Sequence, residues 1–136
     1  IISLSFDPNE MNLHFINQLK RESGIDQIYL NKVDENSNFY IEILEHNTLR
    51  YSAAIGTGAR TKEARLEYFL KIRLSTEIDK EEKIVEIRDS SNYSFDESKI
   101  LGIEEIEKRI KENFFTNAIN RINFAMLDLL YEDTWK

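Results

Sequence analysis

The sequence predicts an α+β domain in which two helices pack on one face of a mainly antiparallel, four- to five-stranded sheet, in the order β-α-β-β-β-β-α. Three observations predict it. Apolar and polar residues alternate through the middle of the chain, most clearly in "RLEYFLKIRLS", and a period of two marks a half-covered strand. One segment near each end instead repeats its apolar residues at helical spacing. Turn-forming clusters separate the two kinds of segment. At 136 residues the chain has the length of one domain and can bury a core. Residues 1–136 are therefore read as a single unit.

Residues 2–6 alternate as a short strand. Asp7-Pro8-Asn9-Glu10 reads as a helix start, with Asp7 as the cap, Pro8 at the first helical position and Glu10 closing a capping box. Met11, Leu13, Phe15, Ile16 and Leu19 supply its apolar stripe, and Ser23-Gly24 ends it. Ile25 to Leu30 is a short strand, followed by the polar loop Asp34-Glu35-Asn36-Ser37-Asn38. Phe39, Ile41 and Ile43 alternate with Tyr40 and Glu42, and Leu49, Tyr51, Ala53 and Ile55 repeat the pattern up to the Gly56-Thr57-Gly58 turn. In the next strand Leu66, Tyr68, Leu70, Ile72 and Leu74 face one way. Arg65, Glu67, Lys71 and Arg73 face the other, with Phe69 the exception among them. Asp79-Lys80-Glu81 suits a hairpin turn, and Lys83 to Asp89 returns as the partner strand. Asp96 caps a long terminal helix whose stripe runs Ile103, Ile106, Ile110, Phe114 and on to Leu129. A helix from Ile103 to Tyr131 is about 43 Å long, enough to cross the sheet.

Composition narrows the function. With 41% apolar and 32% charged residues the chain is globular. A net charge of -7 argues against a nucleic-acid footprint. The absence of cysteine excludes disulfides, thiolate catalysis and cysteine metal sites. No apolar run reaches the roughly 18 residues of a spanning helix. The chain opens on Ile1-Ile2-Ser3-Leu4-Ser5-Phe6, a strand already under way, so a targeting segment is expected ahead of it in the full-length protein.

Little in the chain resembles catalytic machinery. His14 and His46 lie in no paired-ligand spacing and read as ordinary side chains. Glu104, Glu105 and Glu107 read as the solvated face of a helix. Gly56-Thr57-Gly58-Ala59 lacks the lysine of a phosphate loop, and no GxSxG elbow occurs. No enzyme activity, metal site or cofactor is expected. One feature departs from the acidic background: Arg60, Lys62 and Arg65 cluster after the turn, with Lys99 as a further candidate. It reads either as a solvated strand face or as a small anion-binding surface, for which arginine offers a two-pronged donor. Phe69, Tyr131 and Trp135 are candidates for a protein interface, where aromatics are enriched.

In order, the chain presents "ISLSFDPNEMNLHFINQLKRESGI", "ARLEYFLKIRLS", "RDSSNYSFDESKIL" and "EEIEKRIKENFFTNAINRINFAMLDLL". This succession resembles the outer-membrane lipopolysaccharide-assembly lipoproteins, the LptE family, over nearly all of the chain. The shared features are a strand entering a helix, and a serine and aromatic patch with "F-D" ahead of a Glu-rich helix. That helix closes on a run of small residues and leucines (Ala125 to Leu130). The resemblance implies a non-catalytic protein, lipid-anchored at its N-terminus on the periplasmic side of the outer membrane. It would plug the barrel of an LptD-type partner and assist lipopolysaccharide insertion. The chain departs by lacking the lipidated cysteine. It also has Leu101-Gly102-Ile103-Glu104 where some members place a lysine, its nearest lysine being Lys99. Arg60 approximates the family's basic turn residue. The alternative is another small periplasmic accessory lipoprotein or protein-binding module, such as an activator of a cell-wall enzyme.

Overall fold

The computed structural model describes residues 1–25, 27–54, 61–76, 82–96 and 98–134. The turns expected at Gly56-Thr57-Gly58 and Asp79-Lys80-Glu81, together with Arg60 and Trp135, lie outside the described residues. The elements are β1 (Ile2–Ser5), α1 (Glu10–Glu22), β2 (Ile28–Leu30), β3 (Phe39–Ala54), β4 (Thr61–Ser75), β5 (Lys83–Asp96) and α2 (Ile100–Thr134). Their order is the predicted one. They form a five-stranded sheet in the order β2-β1-β3-β4-β5. The short β1 runs parallel to both its neighbours, whereas the long β3, β4 and β5 form an antiparallel meander.

α1 begins one cap later than predicted. Asn9, not Asp7, is its N-cap, and Asn9 Oδ1 accepts from the Asn12 backbone N–H at 2.8 Å. Asp7 serves through its carbonyl oxygen instead, accepting from the Asn9 N–H and from Asn12 Nδ2. The helix ends where Gly24 adopts a φ of +69°, a left-handed conformation that costs a residue without Cβ little.

β5 continues seven residues past the predicted Asp89, because β4 offers a partner all the way to the pair Thr61–Asp96. α2 also outruns its prediction. Asp96 Oδ1 accepts from the Ser98 N–H at 3.0 Å and the Ser98 hydroxyl at 2.8 Å just ahead of it. Gly102 then sits inside the first turns without ending the helix. At 35 residues α2 is about 52 Å long.

Both helices pack on one face of the sheet around one core. Phe15, Ile16 and Leu19 of α1 and Phe114, Phe115, Ala118 and Ile122 of α2 share this core with Leu66, Leu70, Ile72 and Leu74 of β4. The Phe15 and Phe115 rings meet edge to face at 5.4 Å, and Tyr68 stacks on Phe114 at 5.3 Å. The helices are joined by Gln18, whose Nε2 donates to the Glu112 carbonyl at 2.8 Å and to Thr116 Oγ1 at 2.9 Å.

One expectation is overturned in β3. Ile43 pairs with Ile72, but Glu45 pairs with Lys71, so Leu44 is an extra residue in the strand. Side chains alternate with a period of two, and one inserted residue exchanges the faces of all that follow. Ile41 and Ile43 therefore enter the core, while Leu49 and Tyr51 turn to the uncovered face at 57% and 50% exposure.

The pairing also fixes the ends of the molecule. Ile2 faces Phe39, Tyr40 faces Ser75 and Leu74 faces Lys83, so all lie at one end of the sheet. Glu107 meets Tyr93, and Asn117 Nδ2 donates to Asp89 Oδ2 at 3.1 Å further back along β5. α2 thus runs antiparallel to β5 and returns its last turns to the Ile2 end.

Candidate interaction surface

The uncovered sheet face is assembled by three strands. Its rows read Tyr51, Arg65, Asn92; then Asn47, Phe69, Arg88; then Glu45, Lys71, Glu86. The bulge in β3 brings Leu49 and Tyr51 into this array beside Phe69. The Arg88 guanidinium lies 4.5 Å from the centre of the Phe69 ring, and that of Arg65 lies 5.6 Å from the Tyr51 ring. Arg65 also pairs with Glu67 at 2.7 Å, and Arg73 with Glu42 at 2.9 Å. Exposed ion pairs of this kind contribute little stability. Their consequence is chemical: charge is neutralised locally, and guanidinium planes laid on aromatic rings are less strongly hydrated than ammonium groups. A depression of about 610 Å³ bordered by Leu49, Glu67, Phe69 and Arg88 lies within this face. Such a surface suits a protein partner.

The helix side carries a larger groove of about 1320 Å³ between α1 and the first half of α2, with His46, Thr48 and Phe115 among its lining residues. His46 is fully engaged. Asn12 Nδ2 donates to the Asp7 carbonyl, which leaves Asn12 Oδ1 to accept from His46 Nδ1–H at 2.7 Å. His46 Nε2 then accepts from the Tyr68 hydroxyl at 2.6 Å. Burial pushes the imidazole down to about 4, so it is neutral near pH 7. Burial also raises the Tyr68 phenol. This chain of bonds fastens α1 to β3 and β4, and leaves His46 no free nitrogen for proton transfer.

A second cluster fastens α2. Glu107 accepts from Arg50 Nη1 at 2.8 Å and from the Tyr93 hydroxyl. Burial raises the Glu107 carboxyl, but the Tyr93 and Arg50 donors together hold it below its ordinary range. Tyr93 is pushed up to about 12 by burial and by Glu107. Of the glutamates noted at the start of α2, Glu104 and Glu105 are exposed, whereas Glu107 is committed to this structural bond. Among the described residues no group of three potential metal ligands is brought together.

The anion candidates are divided by the fold. Alternation along β4 places Lys62 on the helix side and Arg65 on the uncovered side. Lys99, exposed just before α2, lies near the Thr61–Asp96 pair and so at the same end as Lys62. Arg60 lies outside the described residues. Of the interface candidates, Phe69 is half-buried under Arg88, Tyr131 is exposed at 64%, and Trp135 is not described. Sequence reasoning missed Leu49 and Tyr51 as surface residues. The break in alternation at Leu44-Glu45 was the available signal.

Fold and surface together define a small α+β protein with helices on one face of the sheet and an uncovered, partly aromatic face on the other. No protein-family model and no curated protein matches the chain. Solved structures do. Rare lipoprotein B of Shewanella oneidensis is 18% identical, with a TM-score of 0.69 over 96% of each chain. A minor lipoprotein of Acinetobacter baumannii is 13% identical, with a TM-score of 0.64 over 92% of this chain and 88% of that one. Lipoprotein B of Nitrosomonas europaea is 16% identical, with a TM-score of 0.58 over 88% and 78%. The chain shares the fold of these bacterial lipoproteins. Among its described residues no helix is long and apolar enough to cross a membrane.

Proposed function

We propose that the chain is a non-catalytic lipoprotein of the outer-membrane lipopolysaccharide translocon, of the LptE type. It is held by an N-terminal lipid on the periplasmic side and seated as a plug in an LptD-type barrel. The observation that carries this reading is the end-to-end likeness in fold to rare lipoprotein B, 96% of both chains. The uncovered sheet face supports it, because Leu49, Tyr51 and Phe69 with their guanidinium partners supply what a barrel wall could contact. In this reading lipopolysaccharide phosphates meet Lys62 and Lys99, with Arg60 two residues before Lys62 in sequence, since an acidic chain of net charge -7 needs a local positive site.

A photocrosslinker at Phe69 in living cells tests the partner. Capture of a large outer-membrane barrel, which also co-purifies with the chain, is expected; capture of soluble periplasmic proteins alone rejects the reading. For the ligand, Lys62→Glu with Lys99→Glu should weaken lipopolysaccharide binding several-fold, and binding should fall with salt over the screening range of about 8 to 10 Å. Arg65→Glu, on the opposite face, should leave it unchanged.

A further inference from the structure

We infer that the last turns of α2 rest on an uncharged lipid surface, with Phe124, Leu127 and Tyr131 as the side chains that enter it. The inference rests on the lipid-anchored reading above and adds a contact which that reading does not contain.

The observation is a stripe on the outer side of α2. Asn113, Asn120, Phe124, Leu127 and Tyr131 recur at intervals of seven, four, three and four residues, and so share one side of the helix, with Asn117 at its edge bonded to Asp89 of β5. Phe114, Ala118, Ile122, Ala125 and Leu129 occupy the other side and are buried in the core. In a chain that is 32% charged, none of these five residues carries a charge, and Arg121 and Asp128 stand at the edge of the stripe. Outer faces of helices in globular proteins normally carry charged and polar groups, and a helix apolar on both sides is normally buried. Here Phe124, Leu127 and Tyr131 stand 70%, 53% and 64% exposed.

Four features favour a lipid surface as the occupant. The stripe changes character along its length, from two asparagines to Phe, Leu and Tyr. A protein lying along the helix has no reason to want that gradient, whereas a surface met end-on touches only the last turns. Those turns lie at the Ile2 end of the sheet, where the chain enters β1 and where a tether ahead of Ile1 would hold the molecule. Three side chains also offer far less than the roughly 1,200 Å² that a stable protein interface buries. A tether removes that difficulty, because it makes the second contact intramolecular at an effective concentration of order millimolar. Finally, aromatic residues with a polar tip favour the membrane–water boundary. Asp128, Glu132 and Asp133 outnumber Arg121 and Lys136 in the sequence around the stripe, so no excess of positive charge is there to attract an anionic surface and a zwitterionic one fits better.

The test supplies the tether chemically. The chain has no cysteine, so one cysteine added ahead of Ile1 can be coupled uniquely to a maleimide lipid in phosphatidylcholine vesicles. Its single tryptophan, Trp135, follows α2 by one residue and reports on the tip. Tethered protein should show blue-shifted emission, quenched by nitroxide-labelled phosphatidylcholine. Phe124→Asn with Tyr131→Asn should reduce the lipid-contacting fraction on the order of tenfold, with unchanged thermal unfolding. Admixed phosphatidylglycerol should weaken quenching. Absence of quenching in the tethered parent, or equal quenching in the variant, overturns the inference. So does a blue shift that grows with protein concentration without vesicles, which would mark a second copy as the occupant. Protection of Trp135 only on adding an outer-membrane barrel protein would likewise overturn it in favour of a protein partner. None of these readouts depends on lipopolysaccharide or on a native anchor, so failure of barrel capture at Phe69 would reject the translocon reading without deciding this one.

Discussion

The two faces of β4 carry the same alternation and opposite chemistry. On the helix side Leu66, Leu70, Ile72 and Leu74 are almost wholly buried, and the polar intrusion among them, Tyr68, finds His46. On the uncovered side Arg65, Phe69 and Arg73 remain partly solvated and pair across the strands. The first face is constrained by close packing, where one missing methylene is felt. The second is constrained only by pairwise contacts worth fractions of a kcal/mol. A strand can therefore hold a fold with one set of side chains while the other set stays available for recognition.

The largest effect should come from the packed face. Leu70 is fully buried at the centre of β4, and Leu70→Ala should destabilise the domain by about 3 kcal/mol, since it combines lost burial with a cavity that a sheet cannot collapse. The matching change on the other face, Phe69→Ala, should cost at most about 1 kcal/mol while weakening co-purification of the partner. Urea unfolding of both variants checks the contrast. Equal losses would mean that the uncovered face is packed in solution.

The polar intrusion on the packed face gives the next largest effect, through pH. His46 is held at about 4 in the folded chain against 6.5 when free. At pH 7 it is neutral in both states. As pH falls below 6.5 the unfolded chain takes up a proton that the folded chain refuses, so stability declines until about pH 4 and the loss then levels off. At about 1.4 kcal/mol per tenfold change in proton affinity, the loss is about 3 kcal/mol. Urea unfolding between pH 7 and pH 4 should show this slope, and His46→Gln should flatten it. An unchanged slope in that variant would assign the acid sensitivity to carboxylates instead.

The difference between the faces also explains what could be read from the sequence. Both helices, the element order and the core stripe from Ile110 to Leu129 follow from periodicity, because packed faces impose it. The Leu44 bulge shows only as a break in alternation at Leu44-Glu45, which does not by itself say that the faces exchange, and Leu49 and Tyr51 consequently change faces. The extension of β5 through Ser90-Ser91-Asn92 was illegible for a related reason: the length of β4 dictates it, and the hydropathy of β5 does not. The basic cluster was legible as composition only. Lys62 and Arg65 are three residues apart, and in a strand an odd spacing places them on opposite faces.

The smallest predicted effect is the sharpest test of the comparison. Arg88 lies over Phe69 at 4.5 Å, and its only ion pair among those described is a long one to Glu86 at 3.9 Å. Arg88→Ala alone should cost about 0.5 kcal/mol, because an exposed guanidinium over a ring gains little beyond what water offers it. In a double-mutant cycle with Phe69→Ala, the coupling between the two side chains should be of similar size, about 0.5 to 1 kcal/mol. If the uncovered face is a recognition surface, the same pair should behave differently once a partner covers it. Burial removes the competing water, and a desolvated cation over an aromatic ring is worth about 2 kcal/mol or more. The cycle should therefore be measured twice, by unfolding of the free chain and by binding to the captured partner. A coupling that rises on binding places the Arg88–Phe69 pair inside the interface; a coupling that stays the same leaves it outside, as one more pair on a solvated sheet.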